Sequence, residues 1–166
     1  LLGEWKGVSI HHAGWMVAAF EISGIVGMLV AGWATDRFFG GRGPRVCVIC
    51  MALATVFVAL FWGISQPPMW LATLLLGAAG FCIYGPQALV GIAAANIATK
   101  KAAATAVGFT GLFGYASTLV SGWGLGLLAQ HYGWNIAVGA LILIAIMGTL
   151  IFMAAWSAKA NGYDND

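Results

Sequence analysis

The stretch GFCIYGPQALVGI, Gly80 to Ile92, lies inside a long apolar segment and yet contains a tyrosine, a Gly-Pro pair and a glutamine. A helix surrounded by lipid must satisfy its own backbone polar groups, and an internal proline lacks the N–H donor and crowds the carbonyl four residues earlier. We therefore expect a membrane-spanning helix that bends between Cys82 and Pro86. Its polar face should lie against protein or a water-filled path.

The composition of the whole chain is that of an integral membrane protein. Of its 166 residues, 61% are hydrophobic and only 7% are charged, which is too little polar surface to cover a water-soluble globule. A helix needs about 20 mostly apolar residues to cross a bilayer. The sequence thus predicts an all-α membrane fold with about five transmembrane helices. The predicted spans are Ala13–Thr35, Val46–Ser65, Met69–Ile97, Ala102–Ala129 and Trp134–Ala158.

Several classes of function find no support in the sequence. The net charge of +2 sits in short loops and forms no basic stripe, so we expect no nucleic-acid partner. Cys47 and Cys50 form a CxxC without a second pair or a nearby histidine, which favours apolar helix residues over a metal site. The sequence shows no nucleophile triad and no carboxylate pair. We expect neither an enzyme nor a bound cofactor or metal.

The distribution of basic residues predicts the orientation in the membrane. Lys and Arg in short loops favour the cytoplasmic side. Six of the seven basic residues fall on one side of the predicted spans, and only Lys6 falls on the other. The loop DRFFGGRGPR and the C-terminus are therefore expected to be cytoplasmic. The six residues are Arg37, Arg42, Arg45, Lys100, Lys101 and Lys159.

Two spans carry a stripe of small and polar residues at helical spacing. Such stripes either line a polar path or allow two helices to pack closely. The tyrosine in each stripe favours the polar path. The stripe in the third span is Thr73, Gly77, Gly80, Tyr84, Gln87 and Gly91, and that in the fourth is Gly108, Gly111, Tyr115, Thr118 and Gly122.

Glu21 is the one charged residue well inside a predicted span, about eight residues from its outer end. A charge near the bilayer centre costs at least a few kcal/mol, so it should face protein or water and have a partner. No Lys or Arg of this chain lies at its depth. We expect the partner to be a proton or a group outside residues 1–166, and a role in function or gating.

Three stretches together resemble a known transporter family. The segment GWATDRFFGGRGPR resembles the Asp-Arg loop of the major facilitator superfamily. The segment from Tyr84 to Tyr115, YGPQALVGIAAANIATKKAAATAVGFTGLFGY, is similar to the organophosphate:phosphate antiporters, which transport glycerol 3-phosphate and hexose 6-phosphate. WMVAAFEISGIVGMLVAGWATDRFF resembles their eighth helix, with its glutamate at Glu21. The resemblance covers almost the whole chain.

This resemblance implies a fold and a set of site residues. The five spans would correspond to helices 8 to 12 of a twelve-helix transporter. Residues 1–166 would form most of its C-terminal bundle, without the N-terminal bundle and most of helix 7. Together with Gln87 of the same stripe, the pore-facing residues would be Tyr84, Tyr115 and Glu21. The gating loop would contain Asp36, Arg37 and Arg42, and the arginines that hold phosphate would lie upstream of Leu1.

The resemblance leaves the substrate and the class of activity open. Hexose-phosphate members tend to carry an Asp and a Lys where this chain has Val107 and Thr110, which favours a small substrate such as glycerol 3-phosphate. The main hypothesis is an antiporter in the inner membrane that exchanges an organic phosphate for inorganic phosphate. A transporter-like receptor for sugar phosphate shares the neutral residues and is the alternative. A purely structural membrane subunit is a third reading.

Overall fold

A computed structural model of the protein describes residues 10–98 and 101–157, and these form five helices connected by short turns. Each helix is long and apolar enough to cross a bilayer, which confirms the predicted all-α fold with five spans. In chain order they are α1 (Ile10–Phe38), α2 (Gly43–Gly63), α3 (Met69–Ile97), α4 (Ala103–Tyr132) and α5 (Trp134–Ala154).

The bounds of α3 agree with the prediction, whereas α1 continues three residues beyond the predicted Thr35. Asp36 and Arg37 thus lie on the last turn of a helix and not in a loop. Charged side chains at a membrane surface do not end a helix, whereas a change of backbone direction does. Gly40 and Gly41 have φ angles of +56° and +75°, in the left-handed region that glycine adopts without strain. The turn to α2 is made there.

A second glycine turn separates the last two helices. α4 runs to Tyr132, and Gly133 follows with a φ of +84° before α5 begins at Trp134. The helical part of the last span ends at Ala154, and the predicted end at Ala158 lies outside the described residues. These shifts of a few residues leave the order and number of helices in the described ranges as predicted.

Helix α3 is the centre of the bundle. It packs most extensively on α1, then on α2, and to a smaller extent on α4, while α5 packs on α2 and α4. The contact with α1 is close enough to require glycine on both sides. A Cβ atom at Gly27 of α1 would collide with the carbonyl of Phe81, and one at Gly80 of α3 would collide with the carbonyl of Phe20. Small residues let membrane helices approach in this way.

The burial of the helices differs strongly. α3 contains nine buried residues, among them Pro86, and its helical structure continues through the proline. Two small apolar clusters join α3 to its neighbours, one around Met16 and Phe61 and the other around Val46 and Leu89. By contrast, none of the residues of α4 is buried. α4 therefore presents most of its surface outside this five-helix bundle.

Candidate functional site

The polar centre of the bundle is a contact between α1 and α3. The Tyr84 hydroxyl donates a hydrogen bond to Oε2 of Glu21. Both residues are far from the helix ends: Glu21 lies about 16 Å along the axis of α1 from its first residue, given a rise of about 1.5 Å per residue. The pair therefore lies near the middle of both helices.

The ring of Tyr84 is positioned by its neighbours on α1. Gly24 leaves space for it, because a Cβ there would lie 2.6 Å from Cδ2 of the ring. The ring of Phe20 packs against it edge to face, with the ring centroids 5.9 Å apart. Gly24 and Phe20 come one turn after and one residue before Glu21 on the same helix. This local spacing directs the Tyr84 hydroxyl towards the carboxylate.

The partner of Glu21 corrects the expectation from the sequence. Because no Lys or Arg of this chain lies at the depth of Glu21, the expected partner was a proton or a group outside residues 1–166. A neutral donor within the chain supplies a hydrogen bond instead. Tyr84 and Glu21 were both predicted as path residues, but their contact was missed because 63 residues separate them in the sequence. Glu21 remains exposed, so its carboxylate still faces open space.

A cavity of about 510 Å³ lies between α3 and α4. It brings together Gln87 of the α3 stripe and Tyr115 of the α4 stripe. Tyr115 lines this cavity and is 79% exposed. Two threonine hydroxyls of α4 add to this polar wall: Thr110 donates to the carbonyl of Val107 at 2.9 Å, and Thr118 donates to that of Gly114 at 3.0 Å.

The structure divides the α3 stripe between two surroundings. Gly80 and Tyr84 pack on α1. A Cβ at Gly77 would lie 3.1 Å from Oγ of Ser23, which is also on α1. The end of the stripe, Gln87 and Gly91, lines the cavity that faces α4. One stripe thus serves both as a helix contact and as a cavity wall, because the face of α3 passes from one neighbour to the other along its length.

The predicted gating residues lie at the C-terminal end of α1 and in the turn that follows it. Asp36 and Arg37 are exposed on the last turn of α1, and Arg42 is half-buried just before α2. Within the described ranges, no ion pair joins Asp36 to an arginine. The nearby Arg45 contacts the chain after α5: its Nε donates to the carbonyl of Trp156 at 3.4 Å, and its guanidinium lies 5.5 Å from that residue's ring centroid.

Thr110 was missed as a cavity residue by reasoning from spacing alone. Thr110, Gly114 and Thr118 recur every four residues and so share a face of α4. The predicted stripe runs through Gly111, Tyr115 and Thr118, so it includes Thr118 but not Thr110. A search for hydroxyls spaced four residues apart would have added Thr110.

Comparison with known proteins assigns the chain to a family and to a group of relatives. The profile of the Major Facilitator Superfamily matches residues 2–162. A probable hexose phosphate transport protein of Chlamydia muridarum is 40% identical over 94% of this chain and 34% of its own length. A glycerol-3-phosphate transporter of Haemophilus influenzae is 34% identical over 96% of this chain and 37% of its own.

Two further relatives come from Escherichia coli. A hexose-6-phosphate:phosphate antiporter is 36% identical over 81% of this chain and 30% of its own length. A membrane sensor protein is 34% identical over 87% of this chain and 32% of its own length. The chain thus spans about a third of the length of the curated relatives it matches. With five apolar helices and a family match over nearly all its residues, the chain belongs to the major facilitator superfamily.

Proposed function

We propose that the chain is part of a secondary transporter that exchanges an organic phosphate for inorganic phosphate by alternating access. The observation that carries the proposal is the polar surface along α3, where the Glu21–Tyr84 pair and the cavity with Gln87 and Tyr115 occur within a few turns of each other. Such polar groups are energetically unfavourable on a helix face that contacts lipid. Relatives include proteins named as transporters of hexose phosphate and of glycerol 3-phosphate.

In this proposal residues 1–166 form the C-terminal helical bundle of a longer chain. An alternating-access site lies between two bundles that rock around it. Helix α4 has no buried residue and carries Tyr115 on its exposed surface, so it is available for contact with a second bundle. The N-terminal bundle of the same chain and the rest of helix 7 would complete the site.

The same proposal places the cations for phosphate on the missing part. A phosphate dianion that loses its water needs cationic partners, and the fork of arginine fits its oxygens. In the described part of the chain the arginines lie at one end of the bundle, at Arg37, Arg42 and Arg45, far from Glu21. Glu21, Tyr84, Gln87 and Tyr115 would then surround a cationic centre supplied by arginines upstream of Leu1.

For the cell, we propose a multi-pass protein of the inner membrane, with the Asp36–Arg42 turn and the C-terminus in the cytoplasm. The excess of Arg and Lys at that end of the helices supports this orientation.

Exchange by the full-length protein tests the proposal. The protein is reconstituted into liposomes loaded with inorganic phosphate, and uptake of labelled phosphate, glycerol 3-phosphate and hexose 6-phosphate is followed against protein-free liposomes. We expect saturable uptake that depends on phosphate inside. Uptake that is equally fast without internal phosphate would contradict exchange.

A receptor for sugar phosphate that signals to a membrane kinase is the second candidate, favoured by the similarity to a membrane sensor protein. It would bind the ligand without moving it. Tight binding of a sugar phosphate to the purified full-length protein, without exchange in liposomes, would favour the receptor.

A further inference from the structure

A second cavity, of about 850 Å³, lies between α1, α2 and α3. It has the form of a groove, because α1 and α2 both pack on α3 but have little contact with each other. Its lining includes two small residues, Ala19 of α1 and Ala78 of α3, which leave space in it. It also includes large apolar residues that remain exposed, namely Leu53, Trp70 and Leu74. The groove is therefore open at the surface of the described bundle.

The groove is apolar in character. Apart from the indole N–H of Trp70, its polar side chains are the hydroxyls of Ser23 and Thr73. Each hydroxyl donates its proton to a backbone carbonyl one turn earlier in its own helix, Ser23 to Ala19 and Thr73 to Met69. None of the described residues that line the groove is charged. Apolar cavities of this kind do not hold water stably, so a ligand that fits the groove must be apolar as well.

The groove lies on the opposite flank of the α1–α3 contact from Glu21. Ala19 lines the groove, and Glu21 follows it by two residues, which is about 200° around a helix. On α3, Phe81 lines the groove and Val90 lines the cavity beside α4. Nine residues separate these two, or about two and a half turns, so they lie on opposite faces of α3. The groove thus opens away from both polar features of the bundle.

The length of the groove matches one leaflet of a bilayer. Trp70, the second residue of α3, lies at one end of the groove, and Cys82 lies at the other. The distance between them along the helix axis is about 18 Å, at about 1.5 Å per residue. One leaflet contributes half of a hydrocarbon core of roughly 30 Å. Tryptophan is enriched at the boundary between membrane and water. The groove thus begins at a residue suited to the headgroup region and runs about as deep as one leaflet.

We propose that this groove binds one acyl chain of a phospholipid, in the leaflet on the side of Trp70. In the orientation proposed above, this is the outer leaflet. The acyl chain extends along α3 from Trp70 towards Cys82 and fills the gap between α1 and α2. It contacts Leu53, Leu74 and Phe81 on the way. The inference concerns a ligand other than the transported substrate, and it does not depend on the exchange function.

A phospholipid with a photoreactive diazirine in its acyl chain tests the proposal. The full-length protein is reconstituted into nanodiscs that contain this probe and is irradiated, and the labelled residues are mapped by mass spectrometry. Leu74 in the groove and Ile144 on α5 are 58% and 60% exposed, so they offer the bilayer similar surfaces. We expect labelling of Leu74 to exceed that of Ile144 several-fold, because an acyl chain held in the groove stays beside Leu74.

Ala78→Phe places a ring in the groove and should displace the acyl chain. We expect labelling of Leu74 to fall roughly fourfold or more, the worth of one buried CH₂ group of the acyl chain, while labelling of Ile144 stays the same. Ala52→Phe is the matched control, because Ala52 is exposed on α2 and does not line the groove. If Ala78→Phe does not accumulate, Leu53→Trp narrows the groove from α2 and provides the same measurement.

Equal labelling of Leu74 and Ile144, or labelling of Leu74 that Ala78→Phe leaves unchanged, would overturn the inference. Absence of label from Leu74 in a protein labelled at Ile144 would overturn it too. That result would mean that protein covers the groove, either the rest of the chain or a second copy. All of these outcomes are independent of phosphate exchange, which is measured separately.

Discussion

The hydroxyl of Tyr84 on α3 donates a hydrogen bond to the carboxylate of Glu21 on α1, and this contact joins the two most closely packed helices of the bundle. The carboxylate, on a residue exposed near the middle of α1, has a neutral partner and no cation in the described part of the chain. A hydrogen bond to a charged group contributes about 1.5 to 3 kcal/mol. The contact can thus hold Glu21 in place while one side of its carboxylate stays open.

Tyr84→Phe should weaken substrate binding without loss of folded protein. Phenylalanine keeps the ring against Gly24 and Phe20 but removes the hydroxyl that orients Glu21. We expect the apparent affinity for organic phosphate to fall about tenfold, with normal expression. Tyr132→Phe, at the end of α4, is the control and should transport normally. A Tyr84→Phe protein that expresses poorly but transports normally per molecule would show that the tyrosine serves helix packing.

Gly27→Ala should destabilise the bundle. Its new methyl group would collide with the carbonyl of Phe81, so α1 and α3 would have to move apart. Overpacking of this kind costs about 1 to 3 kcal/mol. The Tm of the purified protein in detergent measures the effect. Gly32→Ala on the same helix meets no atom within 4 Å and should leave the Tm unchanged. Equal Tm values for both variants would mean that the helices are not in this close contact.

Asp36→Asn should slow exchange more than it weakens binding. Asp36 has no arginine partner in this arrangement within the described residues, and it stands exposed on the last turn of α1. We expect it to accept charge-assisted hydrogen bonds from arginines in the alternative arrangement of the two proposed bundles. The maximal rate of exchange should fall while the KM stays close to normal. A well-folded variant with an unchanged maximal rate would contradict this role.

The turn between α1 and α2 should be reached by membrane-impermeant thiol reagents only from the cytoplasm. Phe38→Cys suits this measurement, since Phe38 is 67% exposed and Gly41 has a positive φ that strains a cysteine. Gln66→Cys, between α2 and α3, should be labelled from outside. The native cysteines are replaced first in both proteins. Labelling of Phe38→Cys by the impermeant reagent in intact cells would contradict the proposed orientation.

The 166-residue chain by itself should not exchange phosphate, even where it inserts into liposomes. Its arginines lie at one end of the bundle and cannot reach a phosphate beside Glu21. The expected flux of labelled phosphate equals that of protein-free liposomes. Saturable exchange above that control would require a cationic site within this chain.

The helices and their order follow from the sequence alone. Five apolar segments, each about 20 residues or longer, have one stable form in lipid, because only a helix satisfies its own backbone there. The same reasoning identified Glu21 and Tyr84 individually, since a charge and a hydroxyl are costly in lipid unless they face protein or water. These are local properties of each segment, so they can be read without knowing which helices are neighbours.

The pairing of residues was decided only by the tertiary structure. Spacing shows that Tyr84 and Gln87 share a face of α3, but not that Tyr84 meets Glu21 while Gln87 faces Tyr115 across a cavity. Those partners depend on which helix lies beside each part of α3. Gly27 and Gly80, which have no side chain, determine how closely α1 approaches. Helix packing in a membrane depends on such shape complementarity between distant segments, which hydropathy and periodicity do not record.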